Sequence, residues 1–121
     1  AIVAQRGKKP IKTTKDLATL VEKIVPRVAN IHPATRVFQA LRIVVNRELD
    51  NITGLLSAAT LKCLKPGGRL VCISFHSLED RLVKDFFRLH AHELEVITPK
   101  VVTAQKDELK ANPSARSAKL R

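Results

Sequence analysis

An α/β layer is the fold class this sequence predicts, and three features carry it. Leu70-Val71-Cys72-Ile73 is a short unbroken apolar run, the pattern of a strand buried on both faces of a parallel sheet. Lys65-Pro66-Gly67-Gly68 sets a tight turn before it. Behind it, Leu78, Leu82, Val83, Phe86 and Phe87 recur at helical spacing. Residues 52–88 therefore read as helix, turn, buried strand and helix, the unit of layered α/β domains.

The other elements follow in chain order. Residues 1–6 are weakly helical, and Gly7-Lys8-Lys9-Pro10 breaks the pattern. Thr13-Thr14 signals a new helix, with Asp16 in the first turn where the helix dipole favours an anion. Leu17, Leu20, Val21 and Ile24 keep its spacing, and Pro26 stops it. Pro33 opens a further helix, because its missing N–H costs nothing at the first position. Phe38, Leu41, Val45, Leu49 and Ile52 form one apolar face, with a pause expected near Asp50-Asn51 before the pattern resumes to Leu64. Ser74 or Ser77 is expected to cap the helix after the strand. Leu94-Glu95-Val96-Ile97 alternates like a strand, residues 99–110 read as loop with a helical turn near Asp107–Leu109, and residues 112–117 are turn chemistry.

Composition narrows the function. With 121 residues, 45% hydrophobic and 27% charged, the chain suits a single compact fold. No apolar run approaches the roughly 18 residues that span a bilayer. Cys63 and Cys72 fit neither a metal spacing nor a disulfide framework, which points to a reducing setting. The net charge of +11 implies a polyanionic partner, with RNA the natural candidate. Four Phe, no Trp and no Tyr give poor support to base-stacking platforms. Met is absent even from position 1, so the chain reads as part of a longer protein.

Two groups of residues carry chemistry. His76, Ser77, Glu79, Asp80 and Arg81 follow the carboxyl end of the predicted strand, where open α/β sheets bind ligands. Substrate orientation or proton handling by His76 and Asp80 is one reading. A capped, solvated first helical turn is the other. His32, Arg36, Arg42 and Asn46 share one helix and suit phosphates or a base edge, or a basic solvent face. His90 and His92 are expected at the surface, and no metal site is predicted. There is no Gly-rich strand-to-helix turn, and Gly67-Gly68 stands in the wrong order for a phosphate or cofactor loop.

The longer strings are specific. His32-Pro33-Ala34-Thr35-Arg36-Val37-Phe38-Gln39-Ala40-Leu41-Arg42-Ile43, with Val45-Asn46-Arg47-Glu48-Leu49, resembles the RsmH (MraW) family. Leu64-Lys65-Pro66-Gly67-Gly68-Arg69-Leu70 and the run from Ile73 to Lys84 are similar to its second signature. Asn112-Pro113-Ser114-Ala115-Arg116-Ser117 with Leu120-Arg121 is similar to its C-terminal motif. The resemblance implies an S-adenosyl-L-methionine-dependent methyltransferase acting on N4 of a cytidine in small-subunit (16S) ribosomal RNA. It implies a partial class I Rossmann-like core over residues 31–121, preceded over residues 1–30 by the end of a helical inserted domain. The cofactor-binding half of such an enzyme has no counterpart in this sequence, so no cofactor ligand is assigned and the chain alone is expected to be inactive. Asn46, His76 and Asp80 are the candidate catalytic residues. Arg36, Arg42, Ser77, Glu79 and Arg81 are the candidate substrate-binding residues. The expected partners are small-subunit ribosomal RNA or the ribosomal subunit, and a second copy or the missing half. A cytoplasmic bacterial location follows, or an organellar one in a eukaryote. A basic RNA- or ribosome-binding module that retains part of a methyltransferase fold without catalysis is the alternative.

Overall fold

The computed structural model describes residues 1–28 and 31–121, with Leu61 described by its backbone. Contacts divide the chain into two compact units, Ala1–Asn46 and Arg47–Arg121. The domain boundary expected at residue 30 falls on Asn30, outside the described residues.

The first unit is helical. Helix α1 (Ile2–Lys8) buries none of its residues and carries Arg6 and Lys8 in its last turn. Helix α2 (Thr14–Glu22) starts where Thr13 accepts from the Asp16 N–H at 3.1 Å and Asp16 Oδ2 accepts from the Thr13 N–H at 3.0 Å. Two orphan donors are satisfied reciprocally by this capping box. It ends at Glu22, so Ile24 falls beyond it and is exposed. Helix α3 (Thr35–Asn46) begins two residues later than expected, with Pro33 in the preceding turn. There the His32 Nδ1 accepts from the Ala34 N–H at 3.1 Å, and Nε2 lies 2.8 Å from Glu22 Oε1. Leu17, Val21 and Ala34 are buried, with Ile11, Ala18, Val37 and Phe38 packed against them.

The second unit opens at a break that the sequence reading placed near Asp50-Asn51. It lies at Arg47, whose φ of 52° and ψ of 39° are left-handed, and helix α4 (Glu48–Ala58) starts directly after it. For a residue with a Cβ that conformation costs roughly 1–2 kcal/mol. The exposed Arg47–Asp50 pair at 3.2 Å offsets little of it. Arg47→Gly is therefore expected to stabilise the full-length protein by about 0.5–1 kcal/mol. A urea midpoint that rises without a change in slope would show this, and a falling midpoint would refute it.

Helix α4 passes into a π-helical turn, Ala59–Cys63. The turn from Lys65 to Gly68 then needs its glycines. Gly67 has φ +79°, and a Cβ on Gly68 would lie 2.9 Å from Lys65 O and Leu64 Cδ1.

Strand β1 (Ile73–Ser74) leads into helix α5 (Ser77–Leu89). Strand β2 (Val102–Thr103), helix α6 (Lys106–Ala111) and strand β3 (Lys119–Leu120) complete the unit, with a 3₁₀ turn at Pro113–Ser117. The sheet order is β1-β3-β2, antiparallel at both pairings, with Ile73 and Val102 each opposite Leu120. Reciprocal Cys72–Arg121 backbone bonds of 2.8 and 2.9 Å extend the first ladder. Two strands antiparallel to the same neighbour run parallel to each other, so β1, α5 and β2 form a strand–helix–parallel strand path with β3 between its strands.

Three expectations change. The apolar run is not buried on both faces. Leu70 and Cys72 pack on the core and Ser74 is buried, whereas Val71, Ile73 and Phe75 are exposed. Strand alternation has decided which side chains face the core. No strand forms at 94–97, because Leu94 turns inward after a bend held by the His90 carbonyl while Glu95, Val96 and Ile97 stay exposed. The β-branched pair Val102-Thr103, in the stretch read as loop, supplies the pairing instead. The core of the unit is Leu56, Val83 and Phe86, joined by Ile52, Leu70, Cys72, Phe87 and Leu94.

Candidate functional site

At the carboxyl end of β1 the chain turns directly into α5, and the residue that caps this helix is His76, neither Ser74 nor Ser77. Its Nδ1 accepts from the Glu79 N–H at 3.3 Å. In return Glu79 Oε2 accepts from the Phe75 N–H at 2.9 Å and the His76 N–H at 3.2 Å. This is a capping box in which an imidazole replaces the usual hydroxyl or carboxyl. Because Nδ1 is an acceptor, the proton of the neutral ring sits on Nε2. Nε2 lies 3.2 Å from Glu79 Oε1, yet its alignment makes no hydrogen bond, and the atom is buried. Glu48, from the first turn of α4, completes a group in which one His76 ring nitrogen and one oxygen of each carboxylate lie within 4.8 Å of one another.

The next residue of α5 has a different task. Asp80 Oδ1 accepts from Arg121 Nε at 2.7 Å, and Oδ2 accepts from the second guanidinium nitrogen at 3.4 Å. Lys119 Nζ lies 3.8 Å from Oδ2. The Arg121 hydrogen bond, helped by the charges of Arg121, Lys119 and Lys84, outweighs desolvation and holds the Asp80 carboxyl below its ordinary value of 3.8. Asp80 is thus a paired anion that ties the first turn of α5 to β3.

Ser77 and Arg81 are exposed on that first turn. His90 stacks on Phe86 at 4.0 Å and its Nδ1 lies 2.9 Å from the Phe86 carbonyl, while His92 is exposed. Arg36, Arg42 and Asn46 are exposed along α3 in the first unit. The structure therefore gathers His76 and Glu79 from the predicted set and adds Glu48. It pairs Asp80 with Arg121. Glu48 and Arg121 escaped the sequence reading because neither is near the cluster in the chain. The only sequence signal for Arg121 is the basic residue that closes the last motif.

A larger recess of about 850 Å³ opens at the amino end of β1, lined by Thr60, Lys65, Arg69, Glu93 and Leu94 among others. No described helix is long and apolar enough to cross a membrane.

Comparison with known proteins gives a family and close relatives. The MraW methylase family matches residues 1–121. A ribosomal RNA small subunit methyltransferase H from Nitrobacter hamburgensis is 51% identical over 138 residues, covering 100% of this chain and 41% of the relative. One from Rhodopseudomonas palustris is 52% identical over 138 residues, covering 100% and 42%. One from Coprothermobacter proteolyticus is 53% identical over 123 residues, covering 100% and 41%. The chain spans about two fifths of the length of these curated relatives.

Proposed function

Because the chain belongs to the MraW methylase family, we propose that it is part of an S-adenosyl-L-methionine-dependent enzyme that methylates N4 of a cytidine in small-subunit ribosomal RNA. The observation that carries this reading is the match along the whole chain to relatives named for methylation of that RNA. The strand–helix–parallel strand path supports a Rossmann-like core over residues 31–121, with residues 1–30 the end of a helical insert.

The residues here do not form a cradle for the methyl donor. Gly67-Gly68 lies between a helical turn and a strand, and Gly68 faces Leu64 and Lys65 of its own turn. The chemistry assigned to this chain is accordingly confined to the RNA and the target base. An exocyclic amine conjugated to its ring is a poor nucleophile, so it must be held in one orientation before it reacts. His76 and Glu79, rigidly set at the head of α5, suit that task, and Asn46 is the amide partner we assign from α3. Asp80 serves by position, since both its oxygens are engaged by Arg121. Arg36, Arg42, Ser77 and Arg81 present exposed donors to the RNA backbone.

Residues 1–15 carry Arg6, Lys8, Lys9, Lys12 and Lys15 without one acidic residue, and all five are exposed. That stretch supplies sequence-independent affinity for phosphates. It is also what favours the second reading, an RNA-binding module without catalysis. On the enzymatic reading the rest of the protein, or a second copy, covers the exposed face of β1, and the enzyme works in the cytoplasm, or in an organelle of a eukaryote.

The test is methylation of small-subunit RNA by the full-length protein with labelled methyl donor, followed by digestion to nucleosides. Label is expected in N4-methylcytidine. Tight RNA binding with no label would sink the enzymatic reading in favour of the binding module.

A further inference from the structure

Glu48, His76 and Glu79 stand together at the mouth of the sheet, and their hydrogen-bonding state decides what they can hold. A metal is the first thought for two carboxylates and an imidazole. His76 argues against it: with Nδ1 accepting from the Glu79 N–H, Nε2 carries the proton and has no lone pair to give. Ligation would cost the cap of α5. What remains is a site with two carboxylate acceptors beside one N–H donor that is buried, lacks a hydrogen-bond partner, and belongs to a side chain only 11% exposed.

That pattern has a complement. An amino group on an aromatic ring points two N–H bonds about 120° apart, so acceptors about 2.9 Å from the nitrogen stand roughly 5 Å from each other. The oxygens of Glu48 and Glu79 lie within 4.8 Å of one another. Beside the amine, the ring nitrogen of an aminopyrimidine edge is an acceptor, matching the His76 Nε2–H. Of the two Glu79 oxygens, Oε2 is committed to the backbone of Phe75 and His76, which leaves Oε1 for a ligand.

We infer that Glu48, with Glu79 and the protonated Nε2 of His76, forms a subsite for the amine-bearing edge of an aminopyrimidine, and that Glu48 is a specificity residue for cytosine over uracil. The inference rests on the ribosomal RNA methyltransferase reading and names the groups that hold its target. Uracil reverses the pattern: it offers a carbonyl where cytosine offers an amine, and carbonyl oxygen facing carboxylate is repulsive.

The experiment measures binding of a small-subunit RNA fragment to the full-length protein, with either cytidine or uridine at the methylated position. Wild type is expected to prefer cytidine. Glu48→Gln is expected to shrink that preference tenfold or more while uridine RNA still binds as it does to wild type, because the phosphate contacts are untouched. Glu48→Asp, which keeps the charge but shortens the arm, is expected to fall between them and serves if E48Q does not fold. An unchanged cytidine-to-uridine ratio in the folded variant overturns the inference and leaves the methyltransferase reading standing. Failure of the wild type to bind either RNA overturns the reading itself. Stoichiometric zinc in the purified protein, lost in His76→Ala, would overturn the subsite in favour of a metal centre.

Discussion

Phe86→Ala is expected to cost the second unit about 3–5 kcal/mol, the range for removing a buried aromatic side chain and leaving its cavity. Phe86 is 7% exposed and sits between α4 and the sheet, packed with Leu56 and Val83. Its ring also meets Phe87 edge-on at 6.3 Å and stacks on His90 at 4.0 Å, so several neighbours lose a partner at once. Domains of this size are stable by on the order of 5–15 kcal/mol, and the loss is a large share of that. Urea unfolding of the full-length variant, followed by circular dichroism, should show the transition of this unit moved to much lower urea. A midpoint within error of the wild type would mean that the core has been misidentified.

The second large effect concerns Asp80. Asp80→Ala is expected to destabilise the protein by about 1.5–3 kcal/mol at neutral pH, as for lost hydrogen bonds to a charged partner, and to leave Arg121 half-buried without its anion. The pH dependence has a definite sign. A carboxyl held below its ordinary value contributes its full stability above the unfolded value, near 3.8, and loses it as pH falls through the lower folded value. Wild type and D80A should therefore differ at pH 7 and converge in acid below about pH 4. Thermal unfolding across that range checks it, and a gap that persisted at low pH would assign the loss to packing. Methylation should fall with stability in D80A, since the first turn of α5 loses its tie to β3.

How much of this was legible in the sequence depends on the range over which each feature is determined. Thr13 with Asp16, and the stripe Leu82, Val83, Phe86 and Phe87, are settled within one or two helical turns, and the structure has them where spacing put them. The cap at His76 was missed because histidine is not a usual capping residue and Ser74 and Ser77 flank it. The strand at Val102-Thr103 was missed because two residues make no pattern, and only the approach of β3 selects them. Ile97 failed for the converse reason: it has strand chemistry but no neighbour to pair with. In the candidate site, the local pair His76 and Glu79 was visible. Glu48 is brought to them by the packing of α4 on α5, which no spacing along the chain encodes.

The place of β3 between β1 and β2 has a consequence for the order of events on the ribosome. β1 emerges early, yet the strand that pairs with it is among the last residues described here, and Asp80 waits 41 positions for Arg121. At about 5–20 residues per second, the nascent chain would display Val71, Ile73 and Phe75 unpaired for several seconds. Slow codons between residues 75 and 118 would lengthen that interval, and the yield of native protein should then depend on chaperone supply in a way that the yield of its helical first unit does not.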